Sequence, residues 1–267
     1  MKRIAMFAVA VIVCGCAVSQ QQEIQMGQQY SQEIAKQLPL ISDPEVARYI
    51  NVLGDSIAKL TPRGDLDWHF YVVDSKEVNA FAVPGGFVYV NRGLIERADK
   101  MDELAGVLGH EIGHVVKRHS VKQMQAQQGA SIGVTLACVL TNVCNAPGAG
   151  DAINLAGGAV FAKFSRTDEK EADDQGFLNV THAGISPVGL VTMFQKLIDE
   201  RKSRPAGVEA WFATHPLEED RIADIQSKIN TIPAATLSRY TTDSKNFHSF
   251  KNRLQSLPPS PTPRPAQ

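Results

Sequence analysis

Long apolar runs are missing from this chain of 267 residues. A helix that crosses a bilayer needs about 20 consecutive apolar residues, and the run that first raises the question, Ile4 to Val13, is half that length. Excess charge is missing too. Lys and Arg number 27 against 28 Asp and Glu, so no surplus of positive charge is available for a phosphate backbone, and a nucleic-acid partner is disfavoured. Internal repeats are absent. Cysteine is scarce, at four residues, two of them in the first sixteen. What is present, 43% hydrophobic and 21% charged residues, excludes collagen-like, disordered and coiled-coil compositions. The length fits one large domain or two small ones.

Lys2 and Arg3 precede the Ile4–Val13 run, the order of a secretory signal peptide. Val13-Cys14-Gly15-Cys16 then resembles the bacterial lipobox, in which cleavage precedes a cysteine that carries the lipid. That resemblance implies removal of residues 1–15 and lipidation of Cys16. Ala17 stands where an aspartate would retain a lipoprotein at the inner membrane, which implies sorting to the outer membrane. Cleavage leaves Cys138 and Cys144, an even pair that an oxidising compartment could join as a disulfide; two buried free thiols are the other reading.

In the mature chain, a polar, Gln-rich segment from Glu23 to Leu38 carries a thin apolar stripe and reads as a helix lying on the domain. Ser42-Asp43-Pro44 opens a second helix whose Val46, Tyr49, Ile50, Leu53, Ile57 and Leu60 recur at three- and four-residue steps. Strand periodicity follows at Trp68–Val73, and a further strand at Phe87–Val90 is set off by Pro84-Gly85-Gly86. One long helix is expected from Asp102 to about Gln125. Residues 123–150 carry no charged side chain; their apolar part, interrupted by Thr135, Thr141 and Asn142, is too short to span and reads as buried helix and loop, with a membrane-dipping hairpin as the lesser reading. At least two helices are expected after Ser165, around 167–179 and 187–201. The organisation expected is a leader over 1–15, one domain over 16–255 and a disordered Pro-rich tail over 256–267.

His110-Glu111-Ile112-Gly113-His114 lies inside the long helix. Histidines four apart stand one turn above the other on one face, so two imidazoles can hold one metal without distorting the backbone. Glu111 lies about 100° round, beside the metal, where a carboxylate can take a proton from water. A catalytic zinc site takes a third protein ligand and keeps a position for water. Ser165–Asp173 is the best source: on a helix Glu169 and Asp173 share a face, so Glu169 can ligate while Asp173 accepts the outer ring N–H of a ligand histidine. Spacing alone does not separate this from a charged, solvated helix surface. His119 lies five residues past His114, rotated off the ligand face by about 140°.

Four blocks resemble the peptidase family that includes HtpX and the CAAX prenyl endopeptidase, and most of all its envelope lipoprotein members. They are Asn79-Ala80-Phe81-Ala82-Val83-Pro84-Gly85-Gly86, the His-Glu-x-x-His helix, Ser165-Arg166 with Glu169-x-x-x-Asp173, and Thr214-His215-Pro216 with Arg221-Ile222. The resemblance implies a zincin-type α+β fold, mainly helical, and one zinc ion per chain on His110, His114 and Glu169. Glu111 would be the general base, with Asp173 outside the metal's own ligands. His215 would be an extra ligand at rest, a donor to the oxyanion, or a turn residue. Asn79, Ala80, Phe81, Ala82 and Val83 would form an exposed edge strand on which extended substrate pairs. The function implied is a lipid-anchored periplasmic metalloendopeptidase that hydrolyses unfolded or misassembled envelope proteins. The rival from another class is a zinc-stabilised chaperone or binding lipoprotein whose site is closed by a fourth ligand.

Overall fold

A computed structural model describes residues 18–127, 163–216 and 219–260. The expected leader, Cys16, Cys138, Cys144 and the uncharged stretch beyond Gln127 lie outside these residues.

Side-chain caps start the first helices. Ser19 accepts from the Gln22 amide while the Gln22 side chain accepts from the Ser19 amide, and α1 runs Gln20–Gln37. Asp43 caps α2 (Pro44–Ala58), which has proline at its first position. Three strands follow, β1 (His69–Val73), β2 (Ala80–Val83) and β3 (Phe87–Asn91). Their order is β1-β3-β2, with β1 parallel and β2 antiparallel to the central strand. Gly85 and Gly86, at φ +81° and +101°, make the β2–β3 turn.

The period-2 pattern splits the sheet between two layers. Phe81, Val83, Phe87 and Tyr89 pack with Ile34 of α1, while Ala80, Ala82, Val88 and Val90 face the main core with Leu104 and Leu108. This corrects one expectation. Strand β2 is at the sheet edge, but Asn79, Ala80, Phe81, Ala82 and Val83 are all buried, none more than 5% exposed. These residues are covered backbone and side chain alike, so the edge of β2 is not an open surface.

Helix α3 (Arg92–Arg97) leads into α4 (Met101–Val116), which carries the His-Glu-x-x-His pattern. The single long helix expected here is broken. Arg118 adopts φ +60°, and α5 (His119–Gln127) begins anew. A left-handed non-glycine residue costs about 1–2 kcal/mol. Arg118 offsets that cost by donating to Glu23 Oε2 at 2.8 Å and to the Val18 carbonyl at 2.6 Å. Glu23 is itself fully buried and held by Arg63 at 2.7 and 3.1 Å.

Helix α6 (Arg166–His182) packs on α4 so closely that side chains are excluded. A Cβ on Gly113 would stand 2.7 Å from the Ala172 carbonyl oxygen, and one on Gly176 would stand 3.0 Å from the His110 amide nitrogen. Five more helices complete the described chain: α7 (Val188–Ser203), α8 (Pro205–Thr214), α9 (Glu219–Asn230), α10 (Ala234–Leu237) and α11 (Lys245–Ser256). Of the stretch expected to be a disordered tail, Ser256 ends α11, the Pro258 carbonyl accepts from Arg92 at 2.7 Å, and Ser260 donates to Asp74 at 2.6 Å. Residues 261–267 lie outside the described residues.

Candidate functional site

The close approach of α4 and α6 sets Glu169 and Asp173 opposite the two histidines. His110 Nε2 and His114 Nε2 are 3.0 Å apart, and Glu169 lies 3.3 Å from the second and 3.7 Å from the first. All three residues are buried. Their ligand atoms, with one from His215, lie within 4.8 Å of one another.

The donor set fits a zinc ion. Ligands at about 2.0–2.1 Å in a tetrahedron stand about 3.3 Å apart, close to the spacings found here. The outer ring nitrogens have groups within reach: Asp173 Oδ1 stands 2.9 Å from His110 Nδ1 as an ion-pair contact, and His119 Nδ1 lies within hydrogen-bond distance of His114 Nδ1, at 2.9 Å. The inner nitrogens are thereby left to face one another and a carboxylate.

Glu111 stands beside this cluster, fully buried, with neither carboxylate oxygen hydrogen-bonded to any described residue. Burial raises its pKa above the usual carboxylate range, against the pull of His215 and His110. Glu169 has the opposite balance. Burial works to raise it, but His215, His114 and Arg221 outweigh burial and hold it well below the ordinary value. His114 is pushed well down by burial, which keeps the ring neutral, as a metal ligand requires.

His215 follows α8 and enters the same cluster. Its Nδ1 lies 3.0 Å from Glu169 Oε1 and 3.4 Å from His110 Nε2, while its Nε2 is 3.5 Å from Glu111 Oε1. The Trp211 ring stacks on it at 4.6 Å. Phe164 stacks on His114 at 4.0 Å and closes that side.

Sequence reasoning gave no role to Arg221. The structure buries it beneath both carboxylates: it donates to Asp173 at 2.6 and 2.7 Å, to Glu169 at 2.5 Å and to the Pro216 carbonyl at 3.0 Å. The matched block that contains Arg221 marks the position, but its role stays hidden there because its partners are about fifty residues earlier in the chain. His119 was turned away by the geometry of an unbroken helix; the break at Arg118 returns it to His114. The sheet edge at Asn79–Val83 packs against α4 but adds no side chain to the cluster.

A family model described as peptidase family M48 matches residues 44–229. The chain is 33% identical over 249 residues to the beta-barrel assembly-enhancing protease of Escherichia coli, an alignment covering 90% of this chain and 49% of that protein. It is 28% identical over 189 residues to metalloprotease LoiP of the same species, covering 71% of this chain and 73% of LoiP. Metalloprotease YcaL, also of Escherichia coli, is 33% identical over 161 residues, 60% of this chain and 62% of YcaL. The chain spans about half the length of the beta-barrel assembly-enhancing protease it matches.

Proposed function

The chain belongs to peptidase family M48, and from that premise we propose a zinc metalloendopeptidase of the bacterial envelope, anchored by lipid at Cys16 and acting on unfolded or misassembled proteins. The observation that carries this reading is the convergence of His110 Nε2, His114 Nε2 and Glu169 beside a buried Glu111 carboxylate that accepts no hydrogen bond from the described residues.

His110, His114 and Glu169 would hold a zinc ion, which would supply Lewis acidity for water activation and carbonyl polarisation. Glu111 takes the proton of the attacking water on a carboxylate oxygen and hands it to the leaving amine. Arg221 and Asp173 hold Glu169 and His110 in place from beneath.

The name of the beta-barrel assembly-enhancing relative supports envelope proteins as the substrate class. The envelope-lipoprotein branch of the family, the outer-membrane location and the lipid rest on the N-terminal sequence. Among the described residues no helix is long and apolar enough to cross a membrane.

The test is proteolysis of an unfolded protein by purified wild type and Glu111→Gln, with zinc measured in both. Gln is nearly isosteric but cannot accept the proton, so the variant should keep stoichiometric zinc and lose activity. Cleavage at the wild-type rate would sink the mechanism. A second reading, a zinc-stabilised binding lipoprotein, is favoured by one observation: His215 Nδ1 stands among the ligand atoms, where a fourth protein ligand would shut out water. Stoichiometric zinc with no proteolysis by wild type would select it.

A further inference from the structure

We infer that His119 is a positioning residue for His114, accepting the His114 Nδ1–H and passing the bond on to Glu171, so that His114 Nε2 is presented to the metal as a lone pair. The inference rests on the reading of His114 as a zinc ligand.

The argument is one of proton placement. A neutral imidazole carries a single N–H, and whichever nitrogen lacks it is an acceptor. His114 Nδ1 and His119 Nδ1 are 2.9 Å apart, so only one of the two can carry its proton. The far nitrogen of His119, Nε2, lies 3.2 Å from Glu171 Oε2 and 3.7 Å from Asp168 Oδ1. A carboxylate accepts and cannot donate, so His119 must hold its proton on Nε2 and offer a lone pair from Nδ1. His114 is then obliged to carry its own proton on Nδ1. The opposite assignment sets a lone pair of His119 against Glu171 and turns the His114 N–H toward the cluster. An imidazolium at His119 would donate from both nitrogens, but burial at 1% exposure disfavours that charge; with His119 neutral, the three groups in a row admit one arrangement, and it is the arrangement a ligand needs.

The device parallels the one on the neighbouring histidine. His110 Nδ1 has Asp173 Oδ1 at 2.9 Å, a carboxylate in direct reach. His114 reaches its carboxylate through a second imidazole. His119 is 1% exposed, so water does not compete for the bond. Its placement depends on the broken helix, because the left-handed Arg118 starts α5 at His119 instead of continuing α4.

Zinc affinity, measured by chelator competition on reloaded protein, tests the role. His119→Phe keeps the bulk but offers no acceptor and should bind zinc about 10–100-fold more weakly. His119→Asn returns an acceptor near the Nδ1 position and should recover most of that loss. Glu171, with a side chain 43% exposed, can be changed with little risk to folding. Glu171→Ala should weaken zinc binding in the wild-type background and have no further effect beside His119→Phe, since the relay is then already cut. Wild-type affinity in His119→Phe, an Asn variant as weak as Phe, or an independent Glu171 effect overturns the inference alone. A wild type that takes up no zinc overturns the metal site and this role with it.

Discussion

Arg221 and Asp173 form a two-pronged ion pair beneath the histidine cluster, with Nε and Nη2 of the guanidinium 2.6 and 2.7 Å from the two carboxylate oxygens. The remaining Nη1 reaches Glu169, so one cation serves the carboxylate facing His110 and the carboxylate facing His114. Removing one member of a buried ion pair leaves the other uncompensated, at about 3–5 kcal/mol. Arg221→Met should therefore lower unfolding stability by about that amount and reduce zinc content. Denaturant unfolding and metal analysis read both, and an unchanged midpoint would count against the buried network.

His215 separates the open site from the closed one. Its Nδ1 occupies a place among the ligand atoms, so His215→Ala should free that place and raise basal proteolysis with zinc retained. Were it instead a donor to the developing oxyanion, the same change would lower kcat by about 10²–10³. One rate comparison distinguishes the two, and a wild-type rate would leave His215 as a turn residue.

Asp102, at the start of α4, supplies a pH test remote from the site. Burial, helped by the neighbouring Glu103 carboxylate, pushes its pKa up to about 6, and its Oδ1 has no hydrogen-bond partner among the described residues. An unfolded chain holds an aspartate near 3.9, so the folded state binds this proton more tightly. Folding is favoured below about pH 4, and that advantage is lost as pH rises through 6. Asp102→Asn should thus stabilise the protein at pH 7.5, by about 1 kcal/mol once solvent screening is allowed for, with the gain vanishing near pH 4. An equal gain at both pH values would assign the effect to packing instead of charge.

Cys16→Ser should release the protein from membranes without altering zinc content, since lipid and metal belong to separate parts of the chain. Fractionation and metal analysis of the variant check this. Retention on membranes would point to the apolar stretch within residues 130–144 as the anchor.

The elements that sequence alone determined are those whose cause is local. The apolar spacing of α2, the Pro-Gly-Gly turn before β3 and the four-residue step between His110 and His114 each follow from the geometry of a single helix or strand. Helical spacing also aligned Glu169 with Asp173, but it left open whether that face met solvent or metal. Only the tertiary structure decided it, because Gly113 against Ala172 and Gly176 against His110 let two helices approach at backbone distance and bury four charged or polar groups together. The roles of Arg221, which the sequence marked only as part of a family block, and of His119 were illegible for the same reason from opposite directions. Arg221 acts on residues about fifty positions away, and His119 reaches His114 because a buried Glu23, on the first helix, holds Arg118 in a conformation that no local pattern favours. Periodicity reports which way a side chain points along its own element; what stands opposite it is set by the packing of elements far apart in the chain.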